Sequence, residues 1–68
     1  MATYRIEWAD GRVDLASSFY AARALVLARF PGASITEQPG DGASVVCWEG
    51  VSRDEEGRRA IAVIHCVD

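Results

Sequence analysis

Apolar side chains occupy every second position from Tyr4 to Trp8, which is the spacing of a strand with one buried face. The turn pair Asp10-Gly11 follows, and residues 12–15 resume the alternation. Such a pair between alternating segments is typical of a hairpin. We therefore expect a first strand here and a short second arm that folds back on it.

A helix is predicted in the next segment. Ser17 or Ser18 can cap its N-terminus, since serine is a favoured N-cap residue. Ala, Leu and Arg then continue without a breaker to Pro31-Gly32, which end the helix after about three and a half turns.

Three more strands are predicted after the helix, separated by tight reversals. We place the strands at residues 33–38, 43–49 and 59–67, and the reversals at residues 39–42 and 54–57. The order is β-α-β-β-β. The prediction is a single α+β domain over residues 1–68, with one helix packed on a curved antiparallel sheet of four to five strands.

The hairpin between the last two strands has two possible registers. A two-residue turn at Glu56-Gly57 sets Cys47 opposite Cys66. A three-residue loop with a glycine bulge sets Cys47 opposite His65 instead, and this commoner use of a glycine is slightly favoured. A disulfide between the cysteines needs the first register and an oxidising compartment, neither of which is favoured.

The predicted helix has no broad polar face, because Arg23 and Arg29 lie about 120° apart around its axis. The side opposite the arginines carries Tyr20, Ala21, Ala24, Leu25, Leu27 and Ala28. Small alanines let a helix lie close to a sheet, so we assign this alanine side to the core. Phe19, Val26 and Phe30 then form an exposed rim; the reverse assignment stays open.

The last two strands are apolar on both faces, although one helix covers only one face of a sheet. One set of side chains comprises Val46, Trp48, Ile61 and Val63, and the other comprises Val45, Cys47, Ala62 and Ile64. Because contiguous exposed apolar surface marks interfaces, we expect a homodimer or larger assembly, or a protein partner. The interface candidates are Phe19, Val26, Phe30, Trp48, Arg23 and Arg29.

Composition narrows the classes of function. The chain has 68 residues and a net charge of −3, and all seven of its basic residues are arginine. This balance argues against direct nucleic-acid binding, and no apolar run reaches the ~18 to 20 residues that cross a membrane. With two cysteines and no export signal, we predict a cytoplasmic protein. The acidity outside the helix suits a basic, nucleic-acid-binding groove on another protein.

Few residues suggest chemistry. His65 and Cys66 are neighbours on a strand and point to opposite faces, so they cannot share a metal ion with Cys47. Cys47 and His65 share a face only in the bulged register, as a thiolate-imidazole pair. Trp8 or Trp48 could stack a flavin-like aromatic ligand in a homo-oligomeric shell. We predict no enzyme, and no catalytic, metal-binding or cofactor-binding residues.

The layout of the whole chain resembles that of small phage anti-CRISPR proteins with a β-α-β-β-β plan. The matching segments are strand 4–8, alanine-spaced helix 21–28, strand 34–37, turn 40–42, strand 45–49, turn 56–57 and a closing strand from Arg59. The resemblance implies a viral, non-enzymatic inhibitor that binds a CRISPR effector in the host cytoplasm. Some of those proteins use lysine, which is absent here, and no residue role is transferred.

We therefore predict a small non-enzymatic protein-interaction module. Two alternatives are a homo-oligomeric shell that binds a flavin-like ligand, similar to dodecin in its strand-helix-strand order, and a structural accessory subunit.

Overall fold

A computed structural model describes residues 3–35, 43–50 and 59–67 of the chain. Its elements are β1 (Tyr4–Trp8), β2 (Val13–Ala16), α1 (Phe19–Arg29), β3 (Ser34–Ile35), β4 (Ser44–Trp48) and β5 (Ala60–Cys66). The strands form one antiparallel sheet in the order β2-β1-β5-β4-β3, with β2 and β3 at its edges. The predicted α+β class and element order are confirmed. The reversals predicted at residues 39–42 and 54–57 lie outside the described residues.

The predicted turn between β1 and β2 is present and depends on Asp10 and Gly11. Gly11 has a φ of 93°, in the left-handed region that glycine adopts most easily. One Asp10 carboxylate oxygen accepts the Arg12 backbone N–H at 3.0 Å. The Trp8 N–H donates to the Arg12 carbonyl at 2.8 Å and closes the hairpin. The short arm predicted at residues 12–15 is therefore a full edge strand.

Helix α1 begins and ends where its sequence predicts. Ser18 is the N-cap, and its hydroxyl accepts the Ala21 backbone N–H at 3.1 Å. At the other end the Phe30 N–H donates to the Val26 carbonyl at 2.8 Å, and Pro31 follows. Pro31 has no backbone N–H and cannot extend the helical hydrogen bonding.

The core lies between α1 and one face of the sheet. Its buried members are Tyr4, Ile6, Trp8, Ala22, Val26, Val45, Cys47, Ile61, Ala62, Ile64 and Cys66. Phe19 and Phe30 are partly buried and pack against the two ends of this cluster. Their rings lie edge-on to Tyr4, at 6.1 Å between centroids, and tilted over Trp8, at 6.3 Å.

The assignment of the alanine side of α1 to the sheet is wrong. Ala22 and Val26 are fully buried, whereas Ala24 and Ala28 are exposed. The prediction treated the arginines as pointing away from the core. Instead, the Arg29 side chain lies along the core border with its guanidinium over the Trp8 ring, as a long aliphatic stem permits. The side with the two phenylalanines is thus the one that fills the space above the sheet.

Both registers predicted for the last hairpin are also wrong. Cys47 lies opposite Ala62, and Ser44 lies opposite His65. A β-bulge between Cys47 and Trp48 shifts the pairing, so that Trp48 lies opposite Ala60 and Ile61 is the additional residue. Ile61 is buried with the core cluster, which removes it from the set predicted to face away from the helix.

Candidate functional site

The face of the sheet turned away from α1 carries two rows of side chains. Cross-strand partners share a face, so the pairing defines each row. The Arg5 row comprises Leu15, Arg5, His65 and Ser44, and the Glu7 row comprises Val13, Glu7, Val63 and Val46. Trp48 and Ser34 continue the same face towards β3. We call this surface the open face, since no other described element packs on it.

Apolar residues flank the centre of the open face. On edge strand β2, Leu15 is 66% exposed and Val13 is 56% exposed. On β4 and β5, Val46, Trp48 and Val63 are partly exposed. One apolar set of the last two strands therefore does face away from the helix, as predicted, apart from Ile61. Large apolar side chains on one exposed surface are typical of an interface.

A polar network crosses the centre of the open face. The Arg5 Nε lies 3.0 Å from one Glu7 carboxylate oxygen, and the His65 Nε2 lies 3.3 Å from the other. The Ser44 hydroxyl forms a hydrogen bond with His65 Nδ1. Neither the Arg5 Nε nor the His65 Nε2 is directed well enough at Glu7 for a hydrogen bond, although both atoms are buried. One carboxylate thus lies between two nitrogen atoms, and neither nitrogen completes a hydrogen bond to it.

The order hydroxyl, imidazole, carboxylate is also that of acyl-transfer sites. Such a site needs donors beside the hydroxyl to stabilise an oxyanion. Arg5 supplies the guanidinium of this network, but it lies across β5 from Ser44. The backbones of these two residues are about 9.6 Å apart, which is two strand spacings. The Arg5 guanidinium is therefore held at Glu7 and not beside the Ser44 hydroxyl.

The six predicted interface residues do not form one surface in the structure. Val26 is fully buried and is unavailable to a partner, and Phe19 and Phe30 belong to the border of the core. Arg23 is exposed on α1. Trp48 alone of the six lies on the open face.

Arg29 is held against its own chain. Its guanidinium carbon lies 4.5 Å from the centroid of the Trp8 ring, and its Nη2 lies 3.2 Å from an Asp10 carboxylate oxygen. The Arg12 backbone N–H and the Arg29 guanidinium lower the pKa of Asp10 below its ordinary value. A cleft of about 300 Å³ lies beside Arg29, with Trp8, Phe30 and Ile61 among its lining residues.

The outward side of α1 is a second, narrower apolar surface. Tyr20 is 79% exposed and Leu25 is 40% exposed. The residues between them are the small Ala21, the buried Ala22, Arg23 and Ala24. This surface therefore offers two separated apolar side chains, whereas those of the open face extend across several strands.

The pairing of Cys47 with His65 does not occur. Cys47 is buried on the helix side of the sheet, and His65 lies on the open face. Cys47 and Cys66 form no disulfide. Trp8 and Trp48 also lie on opposite faces, so one aromatic ligand cannot contact both within a single chain. Among residues 3–35, 43–50 and 59–67, no three His, Cys, Asp or Glu side chains form a group that could hold a metal ion.

Burial makes the Cys47 thiol a poor nucleophile. It raises the pKa of Cys47 from an ordinary value of 9.0 to about 11, and only the thiolate reacts readily with alkylating reagents. At pH 8 we expect iodoacetamide to modify the native chain far more slowly than the urea-unfolded chain, as followed by mass spectrometry. The raised pKa also means that Cys47 stabilises the fold less as the pH rises from about 9 to about 11. Equal labelling rates for the native and unfolded chains would contradict the buried placement.

In the described part of the chain, no helix has the length and apolar character needed to cross a membrane. No family model matches the sequence, and neither a curated protein nor a solved structure matches it at a significant level. The resemblance to anti-CRISPR proteins therefore stays a prediction.

Sequence reasoning missed most of the open face. Arg5 and Glu7 are the polar positions of the first alternating strand, and this pattern alone marks them as facing away from the core. Their meeting with His65 follows from the pairing of β1 with β5, which are separated by more than fifty residues in the chain. No local signal in the sequence indicates that contact.

Proposed function

We propose that this protein is a small protein-binding module that acts through the open face of its sheet. The observation that carries the proposal is the combined exposure of Val13 and Leu15 on the same face as Trp48. Monomeric proteins rarely leave such a surface to water.

The composition of the open face fits protein recognition. Apolar residues lie on both sides of a central polar network, and that network contains both signs of charge in Arg5 and Glu7. In protein interfaces, apolar contacts supply most of the affinity, and polar groups set the orientation of the partner. The face is also built on strands, which hold their side chains in fixed positions.

The open face is favoured over the outward side of α1. The helix exposes Tyr20 and Leu25, but small or charged residues separate them. Inhibition of a CRISPR effector is one specific form that this protein-binding function would take. The acidic surface invoked for a basic groove depends partly on residues 37, 41, 54–56 and 68, which lie outside the described residues.

The proposal predicts that Leu15→Asp abolishes protein binding and leaves the fold intact. An aspartate at this exposed position is solvated in the free chain. In an interface its carboxylate would lose water with no opposite charge to compensate. The matched control is Tyr20→Asp, which places the same charge on the exposed side of α1. Circular dichroism should show that both variants fold.

The binding experiment uses the tagged chain as bait, and its prey are a differently tagged copy of the chain and a lysate of the cells that encode it. The proposal expects a protein that is retained by the wild type and by Tyr20→Asp, and lost with Leu15→Asp. It is overturned if Tyr20→Asp removes the bound protein and Leu15→Asp does not, or if the folded wild type retains neither prey.

A further inference from the structure

The two rows of the open face are complementary to each other. Arg5 and Glu7 are two positions apart on β1, so their side chains lie on the same face about 6.8 Å apart along the strand. On the neighbouring strand β2, Leu15 lies beside Arg5 and Val13 lies beside Glu7. Each row therefore offers a charge on β1 and an apolar side chain on β2, with the sign of the charge reversed between rows.

We propose that the open face is a homodimer interface, covered by a second copy of this chain. The proposal rests on the proposed function, because it names the protein that occupies the same surface. The two-fold axis would run across the strands, midway between the Arg5 row and the Glu7 row. Each row then stacks on the other row of the second copy, as in an isologous contact.

This arrangement pairs side chains of matching chemistry on β1 and β2, whereas on β5 and β4 it sets His65 and Ser44 against Val63 and Val46. Arg5 of each copy faces Glu7 of the other, and the symmetry makes this ion pair twice. Leu15 of each copy faces Val13 of the other, which covers the two most exposed apolar residues of the face. A two-fold axis parallel to β1 and centred on it would instead set Arg5 against Arg5 and Glu7 against Glu7, so the charges also select the orientation.

The second copy would give the Arg5 guanidinium a further acceptor. Glu7 is the single carboxylate on the rows, and it is shared between Arg5 and His65. The Arg5 side chain is still 43% exposed, and its guanidinium has further N–H groups to donate. Glu7 of a second copy would bring a second carboxylate to this guanidinium, in a contact shielded from water by the flanking Leu15 and Val13.

The dimension of the face predicts a moderate affinity. Five strands about 4.8 Å apart and about five residues long present roughly 400 Å² per copy, which is about half of the ~800 Å² per partner of a standard specific interface. We therefore expect a dissociation constant in the micromolar range. Sedimentation velocity at several concentrations from about 1 to 500 µM would measure it.

Charge reversal tests the proposed pairing directly. Arg5→Glu makes each face doubly negative, and Glu7→Arg makes each face doubly positive. Each variant alone should dimerise about 100-fold more weakly, because two like-charged pairs replace two ion pairs. An equimolar mixture of the two variants should form a heterodimer, and the double variant R5E/E7R should recover the homodimer.

The mixture separates an interface from a structural effect. If a variant loses the dimer because its own fold is weakened, adding the oppositely charged variant does not restore dimerisation. If it loses the dimer because like charges face each other, adding that variant does restore it. Arg23→Glu is the matched control, since it makes the same change of charge on exposed α1 and should leave the dimer unchanged. If a charge-reversed chain fails to fold, Leu15→Asp on the edge strand gives the same readout of dimer loss.

The outcomes distinguish this inference from the proposed function. A wild type that stays monomeric, a dimer that survives both reversals, or a mixture that stays monomeric overturns the homodimer. If the wild type is monomeric but a lysate protein is lost only with Leu15→Asp, the open face binds a different protein and the proposed function stands.

Discussion

Replacing Trp8 with alanine is expected to lower the free energy of unfolding by about 4 kcal/mol. Trp8 is almost fully buried, its ring contacts Phe30, and the Arg29 guanidinium covers it. Its indole N–H also donates to an Asp14 carboxylate oxygen at 2.6 Å. A domain of 68 residues has a total stability of roughly 3 to 10 kcal/mol, so this single change would remove a large part of it.

Urea unfolding followed by far-UV circular dichroism measures this loss of stability. Two further variants separate the contribution of the N–H donor from that of the buried ring. Trp8→Phe keeps an aromatic ring in the core but removes the N–H donor, so a smaller loss of about 2 kcal/mol is expected. Trp48→Ala removes the same residue type from the open face, where it is partly exposed, and about 1 kcal/mol or less is expected. Equal losses for Trp8→Ala and Trp48→Ala would contradict the placement of Trp8 in the core.

The second large effect concerns the side of α1 that faces the sheet. Val26→Ala is expected to lower the free energy of unfolding by about 2 kcal/mol, because it leaves a cavity under the helix. Leu25→Ala removes a larger side chain from the neighbouring position, yet about 0.5 kcal/mol or less is expected, since Leu25 points outward. Alanine favours the helix over both residues, so helix propensity does not reverse the order.

The comparison of Val26→Ala with Leu25→Ala is decisive because the two helix sides predict opposite results. If the alanine side packed on the sheet, Leu25→Ala would be the costly substitution and Val26→Ala would be nearly neutral. Chemical unfolding of both variants with the wild type under one set of conditions gives the answer.

Local signals in the sequence predicted the elements well. The alternation from Tyr4 to Trp8, the cap at Ser18 and the breaker Pro31 each act within a few residues, so they reveal a strand, a helix start and a helix end. The excess of apolar positions on two strands likewise predicted an uncovered face. These conclusions required no knowledge of which elements become neighbours.

The hairpin register could not be predicted in the same way. The glycine of a short turn predicted that Cys47 lies opposite Cys66 or His65. In the structure Cys47 lies opposite Ala62, and a bulge is present at Ile61. The bulge buries Ile61 beside Trp8 and Phe30, so its position depends on packing in the core. Turn chemistry alone carries no information about that packing.

The amino-acid sequence by itself thus determined a small α+β domain with more apolar surface than one helix can cover. The tertiary structure decided where that surface lies. Both sides of α1 are apolar, and an arginine stem can lie along a core border as Arg29 does, so only the volume above the sheet selects the side with Val26. Only the pairing of β1 with β5 sets Glu7 beside His65, because that contact joins residues distant in sequence whose alignment follows from the whole sheet.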